Sequence, residues 1–114
     1  MQYMLLIYGD ERSWDDATPE QKAVHYRRHR TFGEMVIELG GKIVSAAPLE
    51  STSTATSLRG DLITDGPFVE TRETLGGFYI IEASDLDQVI GISRHCPVFS
   101  GGIEIRPLVD MSTA

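Results

Sequence analysis

The chain has 114 residues, 41% hydrophobic and 24% charged, with 17 acidic against 10 basic side chains for a formal net charge of −7. That length fits a single domain over residues 1–114, and the balance of apolar and charged residues excludes a disordered chain. The acidic field opposes a general nucleic-acid role, and no basic run offsets it, since Arg27, Arg28 and Arg30 share one helical segment with Glu20, Glu34 and Glu38.

A single cysteine, Cys96, has no internal disulfide partner, which favours a reducing compartment. The apolar start, Met1 to Tyr8, lacks a basic leader and a small-residue cleavage site, so it does not read as a signal peptide. No apolar run approaches the roughly 20 residues needed to span a bilayer. A cytoplasmic location without membrane attachment is the expectation.

Tyr3-Met4-Leu5-Leu6-Ile7-Tyr8 reads as a strand buried on both faces, ended by Gly9-Asp10. A polar loop holding Trp14 follows. Thr18-Pro19-Glu20-Gln21 then starts a helix, with Thr18 as cap, Pro19 at the first position and Gln21 completing a capping box. The helix should run to about Leu39, where Gly40-Gly41 supplies a left-handed terminus. At 100° per residue, Phe32, Met35, Val36 and Leu39 form one stripe, continued toward the N-terminus by His29, Arg28, His25 and Gln21. The inward face is thus apolar in the second half of the helix and polar in the first.

Lys42 to Ala47 is a second strand, closed by Pro48. Residues of about 50–70 read as a peripheral β-hairpin inserted into the fold, turning at Arg59-Gly60-Asp61. Gly76-Gly77 opens a third main strand, Phe78 to Ile81. Ser84 or Asp85 caps a second helix over Leu86, Val89 and Ile90, stopped by Cys96-Pro97, and Ile103 to Arg106 is the last strand. The order β-α-β, insert, β-α-β predicts an α+β ferredoxin-like sandwich, an antiparallel sheet with both helices on one face. Apolar side chains on both faces of Tyr3–Tyr8 and Phe78–Ile81 predict that a second copy covers the open face in an isologous homodimer.

The run Asp65-Gly66-Pro67-Phe68-Val69-Glu70-Thr71-Arg72-Glu73 stands apart. Asp-Gly makes a turn, Pro67 fixes its exit, and Phe68 is expected to anchor it in the core. With Leu75-Gly76-Gly77-Phe78-Tyr79, Asp85-Leu86-Asp87, Cys96-Pro97 and Glu104-Ile105-Arg106-Pro107, this run makes the chain resemble the YCII-related family, and its DGPF-type branch in particular, from Met4 to Val109. The resemblance implies a dimeric ferredoxin-like α+β barrel. Relatives of that fold include small isomerases and monooxygenases. YCII-type members are suspected enzymes with a His/Asp pair, and some DGPF-type members are linked to regulation by alternative sigma factors. Arg72 stands where the family often has Lys, which keeps the charge.

Two functional readings follow. In the first, the domain is a cofactor-independent small-molecule enzyme, with His29 or His25 and Asp65 as a proton-transfer pair in a cleft. The forked donors of Arg59, Arg72 and Arg106 suit a carboxylate-bearing ligand. Glu70, Glu73 and Glu104 are near enough in sequence to pair with them, which leaves Arg59 the foremost anion anchor; Arg28, Glu70 and Arg106 complete the ligand-binding set. In the second, the same pocket or surface serves a ligand-sensing or regulatory module without catalysis. His25 and His29 at i, i+4 lack a third ligand of obvious spacing, so neither a metal nor another cofactor is expected. Cys96 at a helix C-terminus reads as structural, because that end disfavours a thiolate. The glycine pairs are strand entrances and match no nucleotide fingerprint.

Overall fold

A computed structural model of the protein describes residues 1–113. The chain runs β1 (Gln2–Asp10), α1 (Glu11–Asp15), α2 (Pro19–Glu38), β2 (Lys42–Pro48), β3 (Thr56–Arg59), β4 (Leu62–Asp65), β5 (Glu73–Glu82), α3 (Leu86–Ser93) and β6 (Gly101–Pro107). Four strands form one sheet in the order β2-β5-β1-β6, with every neighbouring pair antiparallel. This is a mixed α+β architecture of ferredoxin-like type, as the order of elements predicts.

The core lies between the sheet and the two longer helices. Tyr3 and Leu5 of β1, Tyr79 and Ile81 of β5, Phe32 and Val36 of α2, and Val89 and Ile92 of α3 are all buried in one cluster, edged by Ile43, Ile103 and Ile105. Period-2 alternation puts Met4, Leu6, Phe78 and Ile80 on the opposite face, where each is only half-buried and shares its side with Glu104 and Arg106. That face therefore carries the apolar character read from the sequence.

Helix α2 begins as expected. The Thr18 hydroxyl accepts from the Gln21 backbone N–H at 3.1 Å, and the Gln21 side chain accepts from the Thr18 N–H at 2.8 Å, so two otherwise orphaned donors are satisfied. Gly40, at φ +85°, follows its end. Asp85 caps α3, and the Gln88 amide donates to the Leu39 carbonyl at 3.0 Å, tying the start of α3 to the end of α2. Because α3 has 8 residues against 20 in α2, it covers the C-terminal part of the longer helix. The connection from Cys96 to Ser100 lies beside the rest.

Three local features depart from the expectations. The polar loop after β1 contains a short helix, α1, begun by the Asp10 side chain accepting from the Arg12 N–H at 3.0 Å. Strand β5 starts at Glu73, three residues before Gly76, and pairs back to Asp10 across an irregularity that leaves Gly76 without an opposite residue. The third lies just after the inserted hairpin, β3 with β4, a peripheral two-stranded ribbon with no ladder to the main sheet. Its turn uses Gly60 at φ +57°. Phe68 is 56% exposed and does not enter the core. The ribbon supplies a nearer partner, with the Arg59 guanidinium 3.9 Å from the Phe68 ring centroid.

Candidate functional site

The polar half of α2 faces a cavity of about 500 Å³ at one end of the sheet. Its floor is the end of β1 (Ile7 to Asp10), the end of β2 (Ala46 to Pro48) and the start of β5 (Thr74 to Tyr79). Gly9 permits the sheet to close there, since a Cβ on it would sit 2.5 Å from the Ser100 carbonyl oxygen of the segment entering β6. Trp14, His25, Tyr26 and Phe99 form an aromatic wall of edge-to-face contacts, with ring centroids 5.3 Å apart for Trp14–His25 and for Trp14–Phe99.

Within this cavity three side chains form a line. His29 Nδ1 lies 2.7 Å from the Tyr79 hydroxyl, and His29 Nε2 lies 3.0 Å from His25 Nε2. The helical spacing i, i+4 brings the two imidazoles together, and the pleat of β5 aims Tyr79 at the same face of α2. Tyr79 is buried, and His29 is its one hydrogen-bond partner among the described residues. Which of the two donates follows the His29 tautomer, and the arrangement that satisfies the buried Tyr79 O–H has the hydroxyl donating to Nδ1. His29 then carries its proton on Nε2, donates it to His25 Nε2, and leaves the His25 proton on Nδ1.

Burial sets the charge of this line. Desolvation, helped by the neighbouring His25, pushes the His29 pKa down to about 4. His25 is lowered as well, by desolvation first and by the Arg28 guanidinium second. Tyr79 is pushed up to about 12, by burial and then by Cys96. Near neutral pH the line is therefore an uncharged His-His-Tyr relay. Burial also raises Cys96 to about 12, so its thiol stays protonated, in keeping with a structural role.

The cavity also contains a carboxylate with a different task. Glu11 accepts from the Ser51 hydroxyl, from the Thr52 N–H at 3.0 Å and hydroxyl at 2.8 Å, and from the Thr74 hydroxyl at 3.2 Å. These donors, the Ser51 hydroxyl foremost, hold its pKa below the usual value. Glu11 is thus a saturated anion that fastens α1 to the β2–β3 connection and to β5. It is not a proton acceptor in waiting.

The structure brings His25 and His29 together but does not bring Asp65 to them. Asp65 closes the separate ribbon, exposed and paired in register with Thr56, and lies outside the cavity lining. The expected His–Asp65 pair is replaced by His–His–Tyr, because the hairpin forms a sheet of its own. Arg59 and Glu70 are likewise exposed on or beside that ribbon, and Arg106 pairs with Glu104 at 2.5 Å on the open face of the sheet. Only Arg28 lies near the histidines, lining a second cavity of about 650 Å³ that shares His25 and Phe99 with the first. Among the described residues no group of three His, Cys, Asp or Glu side chains is placed to hold a metal ion.

Tyr79 and Glu11 were missed from sequence. The signal for Tyr79 was present: a tyrosine alternating with Ile81 on the inward face of a buried strand needs a partner for its hydroxyl, and His29 sits one turn from Phe32 on the facing stripe. Glu11 had no local signal, since its partners lie 40 and 63 residues away.

Residues 1–112 match the model of the YCII-related domain. An uncharacterised protein of Rhizobium meliloti (strain 1021) is 32% identical over 115 residues, spanning 95% of this chain and 92% of its own.

Proposed function

This chain belongs to the YCII-related domain family, and we propose that it is a small-molecule enzyme of the DGPF-type branch that works by proton transfer without a cofactor. The observation that carries this reading is the His25–His29–Tyr79 line opening onto the 500 Å³ cavity. A cavity of that size suits a metabolite-sized ligand. His25 is the residue that touches substrate, and His29 and Tyr79 position it and set its tautomer.

With the Tyr79 hydroxyl donating, His25 presents an N–H at Nδ1, suited to a substrate carbonyl oxygen. When the line runs the other way, His29 Nδ1–H donates to the tyrosine oxygen, His25 Nε2–H donates to His29, and His25 Nδ1 presents a lone pair. That lone pair takes a proton from a carbon beside a carbonyl and returns it to the same or a neighbouring atom. A neutral imidazole is the form both steps require at pH 7, and burial supplies it. The open sheet face, with Met4, Leu6, Phe78 and Ile80, fits a second copy of the chain, which supports a homodimer.

The test is deuterium exchange. Incubated in D₂O with a panel of small enolisable ketones and lactones, the protein should label at least one of them beside its carbonyl, and His25→Gln should reduce that rate by about 100-fold or more. Equal labelling by the two proteins, or none by either, overturns the enzymatic reading. A ligand-sensing module using the same cavity is the competing reading. It is favoured by one observation: no carboxylate is hydrogen-bonded to either histidine among the described residues. Saturable binding without exchange would establish it instead.

A further inference from the structure

The second cavity lies between α2 and the connection from α3 to β6. Its walls are largely apolar, with Phe32, Met35, Pro97 and Val98 among them, and its polar groups are unlike those of the first cavity. The first is lined by Asp10, Glu11, Asp15 and Glu50, with Lys22 as its one ordinary cation. The second has Arg28 and His95 against the single carboxylate of Glu20. Glu20 is eight residues before Arg28 on α2, which separates them by about 12 Å along the axis.

Arg28 differs from Arg59, Arg72 and Arg106. Arg72 is 3.5 Å from Asp10, Arg106 is paired with Glu104, and Arg59 is stacked on Phe68. Arg28 has no ion-pair or hydrogen-bond partner among the described residues, and it is the one arginine that lines either cavity. In a chain of net charge −7 a cation with no acidic partner, above an apolar recess, is the part of the surface an organic anion would meet with least repulsion. The guanidinium fork matches a carboxylate through two parallel hydrogen bonds.

We infer that this second cavity is a subsite for a small organic acid, its carboxylate held by Arg28 and its hydrocarbon part seated against Val24, Met35 and Val98. His25 and Phe99, which line both cavities, make the subsite the immediate neighbour of the relay. The subsite does not depend on proton transfer at His25, and it fails or stands by its own measurement.

That measurement is a titration of the full chain with phenylacetate and, separately, phenylacetamide, followed by backbone amide NMR. Phenylacetate should shift the signals of Met35 and Val98. Arg28→Gln should weaken its binding at least tenfold, and Arg28→Lys, which keeps the charge but loses the fork, should fall between. Phenylacetamide should bind more weakly and be indifferent to either substitution. No phenylacetate binding, equal affinity in Arg28→Gln, or shifts confined to Thr74 and Gly77 of the first cavity would each overturn the inference. Arg28 is exposed, so its substitution leaves the fold in place for the comparison.

Discussion

The two halves of α2 are built on the same helical period but face different surroundings. From Phe32 onward the inward positions hold Phe32 and Val36, both fully enclosed by β1, β5 and α3. One and two turns earlier the same stripe holds His29 and His25, which face cavities that no residue of α3 lines. The contrast teaches that amphipathic periodicity sets which face of a helix turns inward. What that face meets depends on how far the neighbouring elements extend.

The difference can be broken at several points. Phe32→Ala should cost about 3–5 kcal/mol in urea unfolding, the range for emptying a packed aromatic site. His25→Ala in the other half should cost less than about 1 kcal/mol, because it enlarges a cavity that already exists. A comparable loss from both substitutions would mean that the two halves are equally part of the core.

Tyr79→Phe should cost about 1–3 kcal/mol, since it leaves His29 Nδ1 without its partner. The same variant should shift the imidazole nitrogen signals of His29, which a purely packing role for the hydroxyl would leave in place.

Stability should also fall on acidification. The unfolded His29 takes up its proton near pH 6.5 and the folded one only near 4. Between those values the unfolded state binds more protons, so stability is full above pH 6.5 and declines as the pH falls toward 4. The ring is partly solvated, so the loss should be on the order of 1–2 kcal/mol. His29→Gln should flatten that part of the curve, and an unchanged slope would contradict a neutral, desolvated His29.

The smallest effect belongs to the start of the helix. Thr18→Ala should cost about 1 kcal/mol by loss of the cap, without altering the imidazole signals of His25 and His29.

A second contrast concerns the segment that looks most distinctive in sequence. Asp65-Gly66-Pro67-Phe68 carries the family resemblance, yet its backbone makes the turn that leaves the hairpin. Gly66 has φ +103°, its N–H donates to the Ala55 carbonyl at 2.8 Å, and its own carbonyl accepts from the Ser57 hydroxyl at 2.7 Å. The cavity is walled instead by unremarkable residues, Ala46, Ala47, Gly76 and Gly77, whose small size leaves the space open. Of the residues singled out beforehand as catalytic, His25 and His29 meet and Asp65 does not, because the motif marks a backbone requirement.

Among the described residues, no helix is long and apolar enough to cross a membrane. Elements whose signals are local were legible in the sequence. The capping box at Thr18, the glycine at the end of α2, the hairpin turn at Gly60 and the alternation of β1 and β5 each rest on residues within a few positions of one another. The sequence alone therefore determined the element order, the ferredoxin-like type and the polar inward half of α2. Only the tertiary structure decided that Tyr79 completes the histidine pair and that Glu11 is saturated by Ser51, Thr52 and Thr74. It also decided that Arg28 stands over a cavity of its own. Those contacts join residues tens of positions apart, and their geometry follows from strand register and helix length, which no local pattern encodes.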